Sequence, residues 1–379
     1  MKNVLVYFGP KRTFLSLLPE AVPWTSLTDL ALRSDARQRE HVFKMQGRRQ
    51  NEPEEASMLK TPAPCVVAFS DEYAAISEHA IQGFLAFLSQ FEIDELFLQN
   101  PPAYLVEQLS KMGKEARAAH YRYRTVDAPL LRRFNAEYDQ RIIGQPNAKQ
   151  QLMTALYPLV QEDRKKPVVL LFYGPTGVGK TETAKLLSEM MGQQLFRKQF
   201  SMFHSNDFAN YLFGGRHSQV SLAKELMERE SNILLFDEFD KPNPLFHSAF
   251  YQLFDEGIYN DKNYYVEVSR AVIICTSNYE SVADAQMKLG QPLFSRFDAV
   301  IRFDELPPDA SEIIISNEYN ALLSAYTPAE QDVIKRSLVI RDLQNQAKDL
   351  CNARQVKRAV LDAFSRVLLA DLLNAPNPE

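Results

Sequence analysis

Residues 174–181 of this 379-residue chain read Gly174-Pro175-Thr176-Gly177-Val178-Gly179-Lys180-Thr181, the spacing GxxxxGK[ST]. No other feature constrains the fold as much, because the pattern needs a frame: a buried strand must run into it and a helix must leave it. Val168-Val169-Leu170-Leu171-Phe172-Tyr173 precedes it, a short apolar and partly β-branched run that predicts a strand. Residues 182–191 follow with apolar positions at helical spacing, which predicts a helix. In such a loop the glycines let backbone N–H groups curl around phosphate oxygens, and the helix N-terminus favours negative charge. Gly174, Pro175, Thr176, Gly177, Val178, Gly179, Lys180 and Thr181 are therefore expected to bind a nucleotide. Lys180 would reach the β- and γ-phosphates, and the Thr181 hydroxyl would hold Mg²⁺. At average residue usage the bare pattern arises by accident in about one chain in a hundred of this length. The strand and helix around it make accident a poor explanation.

Composition narrows the class. Apolar residues are 45% and charged residues 24% of the chain, as in ordinary globular proteins, and the length allows about two or three domains. A net charge of −5 argues against broad coating of nucleic acid and leaves a local basic patch open. Cys65, Cys275 and Cys351 are the three cysteines; without paired spacing they suggest a reducing compartment and neither a disulfide framework nor a zinc site. The six histidines form no HExxH pattern. The apolar run near Met1 is too short for a signal peptide. No stretch approaches about 18 apolar residues, so no membrane span is expected. These readings place the chain in the cytoplasm.

Along the chain, no fixed-period repeat stands out. Residues 1–126 read as a small α/β unit, with strands predicted at 4–8, 65–69, 96–99 and 121–124 and helices at 74–91 and 103–111. The polar, charged stretch of residues 37–64 reads as a mobile loop or a plain solvated connection. Asp127-Ala128-Pro129 looks like a boundary. Helices are predicted at 130–138 and 146–160, around Arg141-Ile142-Ile143-Gly144-Gln145. From Val168 strands and helices alternate, as a parallel nucleotide-binding sheet requires. After Pro307-Pro308 the pattern is all-helical, at 311–326, 328–337, 340–350 and 353–373. The division is 1–126, 127–304 and 305–379.

Two further strings carry chemistry. Ile233-Leu234-Leu235-Phe236 runs into Asp237-Glu238, a buried strand ending in two carboxylates. Asp237 would join the Mg²⁺ shell, and Glu238 would act as general base or orient the attacking water. Alone an acidic pair at a strand end is common; downstream of a phosphate loop it is specific. Ala271-Val272-Ile273-Ile274-Cys275-Thr276-Ser277-Asn278 is another apolar strand with a polar end. Asn278 would orient water, or be an ordinary strand-end turn residue.

Taken together, Ile142-Ile143-Gly144-Gln145, the phosphate loop, Phe236-Asp237-Glu238-Phe239-Asp240-Lys241, Thr276-Ser277-Asn278 and Leu293-Phe294-Ser295-Arg296-Phe297-Asp298 stand in the order and spacing of AAA+ ATPases. They most resemble the second ATPase ring module of Clp-type unfoldases and disaggregases. The resemblance covers residues 127–373 and does not reach the first domain. It implies an α/β fold: a P-loop AAA+ large domain with a parallel sheet and a small helical C-terminal lid; the small α/β N-terminal domain in front is read from the alternation of its own elements. It also implies that Ile142 and Ile143 line the adenine pocket and that Asn278 is sensor 1. Arg296 would be an arginine finger reaching a neighbouring subunit's nucleotide. Asn352-Ala353-Arg354 resembles the Gly-Ala-Arg sensor 2 motif, with Asn352 in place of glycine, so Arg354 would touch the γ-phosphate. A planar guanidinium suits the charge that spreads over γ-oxygens in phosphoryl transfer; either arginine could otherwise be a plain surface charge.

One departure concerns the aromatic pore loop of Clp unfoldases. Residues 208–220 are shorter and lack the Gly-Tyr-Val-Gly type of segment. Tyr211 and Phe213 read as core residues of a preceding helix, with Arg216 and His217 at the tip. The torsins, related AAA+ proteins, also lack the paddle and share a similar Phe-Asp-Glu-Phe-Asp-Lys string.

These readings imply a Mg²⁺-dependent ATPase that forms a homo-oligomeric ring, a hexamer, and remodels a protein partner recruited by residues 1–126. The alternative is a nucleotide-gated oligomeric switch that presents an effector without threading it. A nucleic-acid motor is disfavoured by the acidic balance and the lack of a basic aromatic groove.

Overall fold

The structure, a computed structural model, describes residues 2–19, 22–47, 60–111, 116–202 and 206–374. It holds two compact units that interleave along the chain. The first comprises Met1–Arg124, Phe203–Glu230 and Glu256–Ser269; the second comprises Thr125–Met202, Ser231–Asp255 and Arg270–Glu379.

The first unit is built on β1 (Asn3–Phe8), β2 (Thr25–Ser26), β3 (Cys65–Ala68), β4 (Glu95–Gln99) and β5 (Ala116–His120). They form one parallel sheet in the order β2-β3-β4-β1-β5. Side chains alternate across it. Val4, Val6, Val66, Ala68, Leu96 and Leu98 pack on one face with helix α1 (Leu27–Gly47) and α2 (Ala103–Lys111). Tyr7, Cys65, Val67 and Phe97 pack on the other with Phe14 and Phe69. Both faces are covered, as all-parallel sheets require.

The two later segments of this unit are fastened to it by specific contacts. His217 Nε2 lies 2.9 Å from the Ile76 carbonyl. The Ala103 amide donates to Asn263 O in the hairpin Ile258–Asn260/Tyr265–Glu267. The Glu228 carboxylate accepts from Gln99 Nε2 and Asn100 Nδ2, each at 2.8 Å. Arg229, buried, lies over the Tyr123 ring and donates to the carbonyls of Leu226 and Glu267.

Several expectations for this region change. The helix predicted at 74–91 is three short pieces, Glu72–Ala75, Glu78–Gln82 and Phe84–Leu88. Ser77 caps the second piece by accepting from Ala80 N, and Gly83 separates the second from the third. The strand predicted at 121–124 lies earlier, at β5, although Tyr121 N still donates to Phe8 O. The polar stretch from residue 37 is helical to Gly47; residues 48–59 of that loop lie outside the described residues. Tyr211 is buried in the helix Asn206–Phe213, as expected, but Phe213 is exposed. His217 is buried, not a tip, because its ring bonds the Ile76 carbonyl.

The second unit carries the phosphate loop. Its sheet is parallel, with β6 (Val168–Tyr173), β7 (Phe196–Gln199), β8 (Ile233–Asp237), β9 (Val272–Thr276) and β10 (Ala299–Arg302) in the order β10-β6-β9-β8-β7. β6, β8 and β9 are buried throughout. That burial is why they read as near-continuous apolar runs. Helix α3 (Ala128–Arg141) begins at Asp127, whose carboxylate accepts from Leu130 N. Helix α4 (Pro146–Leu156) follows, and α5 (Lys180–Met190) leaves the loop. The C-terminal helices α6 (Pro308–Leu323), α7 (Pro328–Arg336), α8 (Val339–Asn345) and α9 (Ala353–Asn374) pack around Ile315, Tyr319, Ile334, Val356 and Phe364. The second unit is thus a parallel α/β sheet that carries the phosphate loop, followed by a small helical bundle. No helix among the described residues is long and apolar enough to cross a membrane.

Candidate functional site

The carboxyl ends of β6, β8 and β9 open into a cleft of about 590 Å³. That size suits a nucleotide-sized ligand, for which pockets run about 300–1,000 Å³. Parallel α/β sheets bind ligands at this edge. The phosphate loop forms its floor. Gly174, at φ 124°, lies so close to the Phe303 carbonyl that a Cβ would collide with it. Gly177, at φ 75°, faces the lid: its carbonyl accepts from Ala353 N, and a Cβ would press on Asn352 and Arg354. Both positions need glycine for backbone and for space.

Lys180 is only 8% exposed. Its Nζ donates to the carbonyls of Gly174 (2.5 Å) and Pro175 (2.7 Å) and to Asn278 Oδ1 (3.2 Å). Burial lowers its pKa to about 8; Asp240 and Asp237 oppose that shift, and Arg354 adds to it. Three fixed acceptors thus hold an ammonium where a phosphate chain would pass.

The acidic pair sits at the end of β8. Asp237 is 7% exposed. Its Oδ1 accepts from Thr276 Oγ1, and its Oδ2 accepts from Arg197 Nε (3.1 Å) and Nη2 (2.5 Å). Glu238 takes a left-handed backbone, φ 56°, a conformation that costs a non-glycine residue free energy and clusters at functional sites. Its amide is held by Thr276 Oγ1 at 3.0 Å, and its Oε2 accepts from Gln199 Nε2 at 3.3 Å. Thr276 therefore fixes both acidic residues from the neighbouring strand.

Of the residues singled out in the sequence, Ile142, Ile143, Thr176, Gly177, Val178, Gly179, Lys180, Thr181, Asp237, Glu238, Asn278 and Arg354 line this one cleft. Gly174 and Pro175 contribute the carbonyls that hold Lys180. Arg296 is not among the lining residues. Its Nε donates to Asp255 Oδ2 at 2.8 Å, Nη1 reaches the Pro292 carbonyl, and the guanidinium lies 4.3 Å over the Tyr251 ring. Asp237 and Thr181 offer oxygen donors beside the phosphate loop. That donor set fits Mg²⁺, which takes one or two protein oxygens and completes its shell with phosphate and water.

Sequence reading missed Arg197, Gln199, Thr276, Gln145 and Arg141. Gln145 spans a gap, donating to Asp304 O (2.7 Å) and accepting from Asp304 N (3.0 Å). It thereby sets the loop that carries Ile142 and Ile143. Arg141 pairs with Glu182 and Glu189 on α5, each at 3.1 Å. The one sequence signal for Arg197 and Gln199 was their period-2 spacing on a short strand before the acidic pair.

A family model of the AAA domain (Cdc48 subfamily) matches residues 165–374. The ATP-dependent Clp protease ATP-binding subunit ClpL of Staphylococcus aureus (strain MRSA252) is 27% identical over 248 residues, 59% of this chain and 34% of that protein. The protein of the same name from strain bovine RF122 / ET3-1 is 27% identical over 215 residues, 50% of this chain and 31% of that protein. The chain thus spans about a third of the length of these relatives. Among solved structures, the S. cerevisiae Hsp104-ADP complex is similar in fold, with a TM-score of 0.50 at 18% identity, over 70% of this chain and 50% of that one.

Proposed function

The chain belongs to the AAA domain family (Cdc48 subfamily), and from that premise we propose that it is a Mg²⁺-dependent ATPase that remodels a protein partner. The observation that carries this reading is the meeting, in one cleft, of Lys180, Asp237, Glu238, Asn278 and Arg354 from four separated stretches of chain.

In this reading the Lys180 ammonium exchanges the carbonyls of Gly174 and Pro175 for phosphate oxygens. Ile142 and Ile143 cover the adenine. Glu238, positioned by Thr276 and Gln199, takes the proton of the attacking water, which Asn278 helps to orient. Arg354 brings its charge to the γ-phosphate from the lid. Mg²⁺, held by Asp237 and Thr181, would neutralise charge on the phosphates. Arg296 stands outside its own chain's cleft, and this supports a finger that serves a neighbouring copy. A homo-oligomeric ring, taken here as a hexamer, follows from that role, with the cytoplasm as its place of work. Residues 1–126 would recruit the protein partner.

A second reading has its own observation. Residues 206–230, which lack an aromatic paddle, are packed into the first unit through Tyr211, His217 and Glu228. That favours a nucleotide-gated switch that presents an effector without threading it.

Steady-state ATP hydrolysis measured against protein concentration tests the proposal, with and without casein as an unfolded protein. Turnover should rise with assembly, and Glu238→Gln should bind ATP yet lose at least about a hundredfold in rate. Stimulation by casein supports remodelling, and indifference to it supports the switch. Undiminished turnover in Glu238→Gln would sink the assignment of the base.

A further inference from the structure

We propose that Arg197 and a divalent cation compete for Asp237, so that Arg197 sets the cation concentration at which the site loads. The inference rests on the reading of Asp237 as a Mg²⁺ ligand. It starts from the way the Asp237 carboxylate is satisfied. Oδ1 accepts from Thr276 Oγ1, and Thr276 Oγ1 in turn accepts from Glu238 N at 3.0 Å. Thr276 is buried and bonded on both sides, so it is the fixed partner. Oδ2 takes two N–H groups of one guanidinium, Nε at 3.1 Å and Nη2 at 2.5 Å.

The two ends of this ion pair differ. The Asp237 side chain is 9% exposed, whereas the Arg197 side chain is 41% exposed and lines the cleft. A carboxylate that deep is costly to leave unpaired. Arg197 supplies the missing charge from a position where it can swing into solvent. A dication on the same oxygen would repel the guanidinium, because two positive charges at ion-pair distance cannot share one acceptor favourably. Only one of them keeps Oδ2.

The strand makes this arrangement a built one. Residues two apart on β7 share a face, and the register sets Gln199 against Asp237 and Arg197 against Leu235. One short edge strand therefore addresses both acids, Arg197 to Asp237 and Gln199 to Glu238.

The test uses the full chain with Mn²⁺ as probe. Free Mn²⁺ is followed by electron paramagnetic resonance in the presence of a fixed, saturating non-hydrolysable ATP analogue. Arg197→Met should lower the Mn²⁺ half-saturation about fivefold, the effect of removing one part-exposed ion pair as competitor. Analogue affinity in EDTA is measured for each variant, so that the site is saturated with analogue in every Mn²⁺ titration. Arg197→Lys, which keeps a charge but loses the two-pronged contact, should fall between; it carries the same test if Arg197→Met does not fold. Asp237→Asn is the reference. An unchanged or higher half-saturation in both Arg197 variants, with Asp237→Asn weakened, overturns the competition and leaves the ligand reading standing. Asp237→Asn binding Mn²⁺ as well as the parent overturns both.

Discussion

Lys180 keeps its proton at a cost, and that cost has a pH signature. Burial lowers its pKa to about 8, with Arg354 adding to the shift and Asp240 and Asp237 opposing it. A bound triphosphate is a strong negative neighbour and would raise that pKa again. Below pH 8 Lys180 is protonated with or without nucleotide, so ATP affinity should be flat with pH. Above pH 8 the free protein releases the proton while the complex retains it. Binding then includes proton uptake, and affinity falls by up to about tenfold per pH unit. Titration of a fluorescent ATP analogue from pH 7 to 9.5 reads this directly. Affinity that stays level to pH 9.5 would show that phosphate contact does not depend on this ammonium. The same scale explains why glycine stands at 174 and 177. One position faces the Phe303 carbonyl and the other faces Asn352 and Arg354, so a side chain at either would push the loop off the strand or off the lid.

At the scale of elements, the acidic pair is mounted on an aromatic block. Phe236 and Phe239 flank Asp237 and Glu238 and pack with Phe250 at 5.6 and 5.2 Å; Phe250 meets Phe254, and Phe254 meets Phe297 beside Arg296. His247 stacks on Phe239 at 5.4 Å, with neither ring nitrogen hydrogen-bonded. Burial lowers its pKa from 6.5 to about 4. The unfolded chain binds this proton between pH 6.5 and 4 and the folded chain does not. Stability should therefore fall as pH drops through that window, by at most about 3 kcal/mol from this group. His247→Phe should flatten that part of a melting-temperature profile; an identical slope in the variant would assign the acid sensitivity elsewhere. Phe239→Ala should cost about 3–5 kcal/mol, read by denaturant unfolding. How far these elements were legible depended on how local their causes are. The strands β6, β8 and β9 and the phosphate loop announce themselves in consecutive residues. The break at Ser77 and Gly83 did not, because apolar spacing alone continues through it. The helix to Gly47 was hidden by polarity, although Ala, Arg, Gln and Glu are good helix formers. Arg197, Gln199 and Gln145 act through partners far along the chain, and no string carries such pairings.

At the scale of the whole molecule, the chain leaves the second unit after Met202 and returns at Ser231, then leaves after Asp255 and returns at Arg270. Each return leads directly into a strand that carries site residues, β8 with Asp237 and β9 with Thr276. The excursions are integral parts of the first unit. Glu228 is bonded to Gln99 and Asn100, which are 0% exposed, and Arg229 is buried against Tyr123. Tyr211, Leu222, Leu226, Tyr259 and Tyr264 are buried as well. A division into consecutive pieces, with 1–126 in front of a self-sufficient ATPase, would thus cut through one compact unit. Deleting residues 1–124 leaves the excursions with a buried arginine lacking its aromatic partner, a carboxylate lacking its amides and a row of uncovered apolar side chains. Exposed apolar surface of that kind drives aggregation, and orphaned buried polar groups add to the loss. The truncated chain, residues 125–379, should therefore give little soluble protein. Its soluble fraction should be cut by a protease first within 206–230 or 256–269, sites that the full chain protects. Limited proteolysis with mass spectrometry on both chains measures this. A truncated chain as resistant across those segments as the full one would mean that the excursions fold on the second unit alone, and residues 1–124 would then be a separable module.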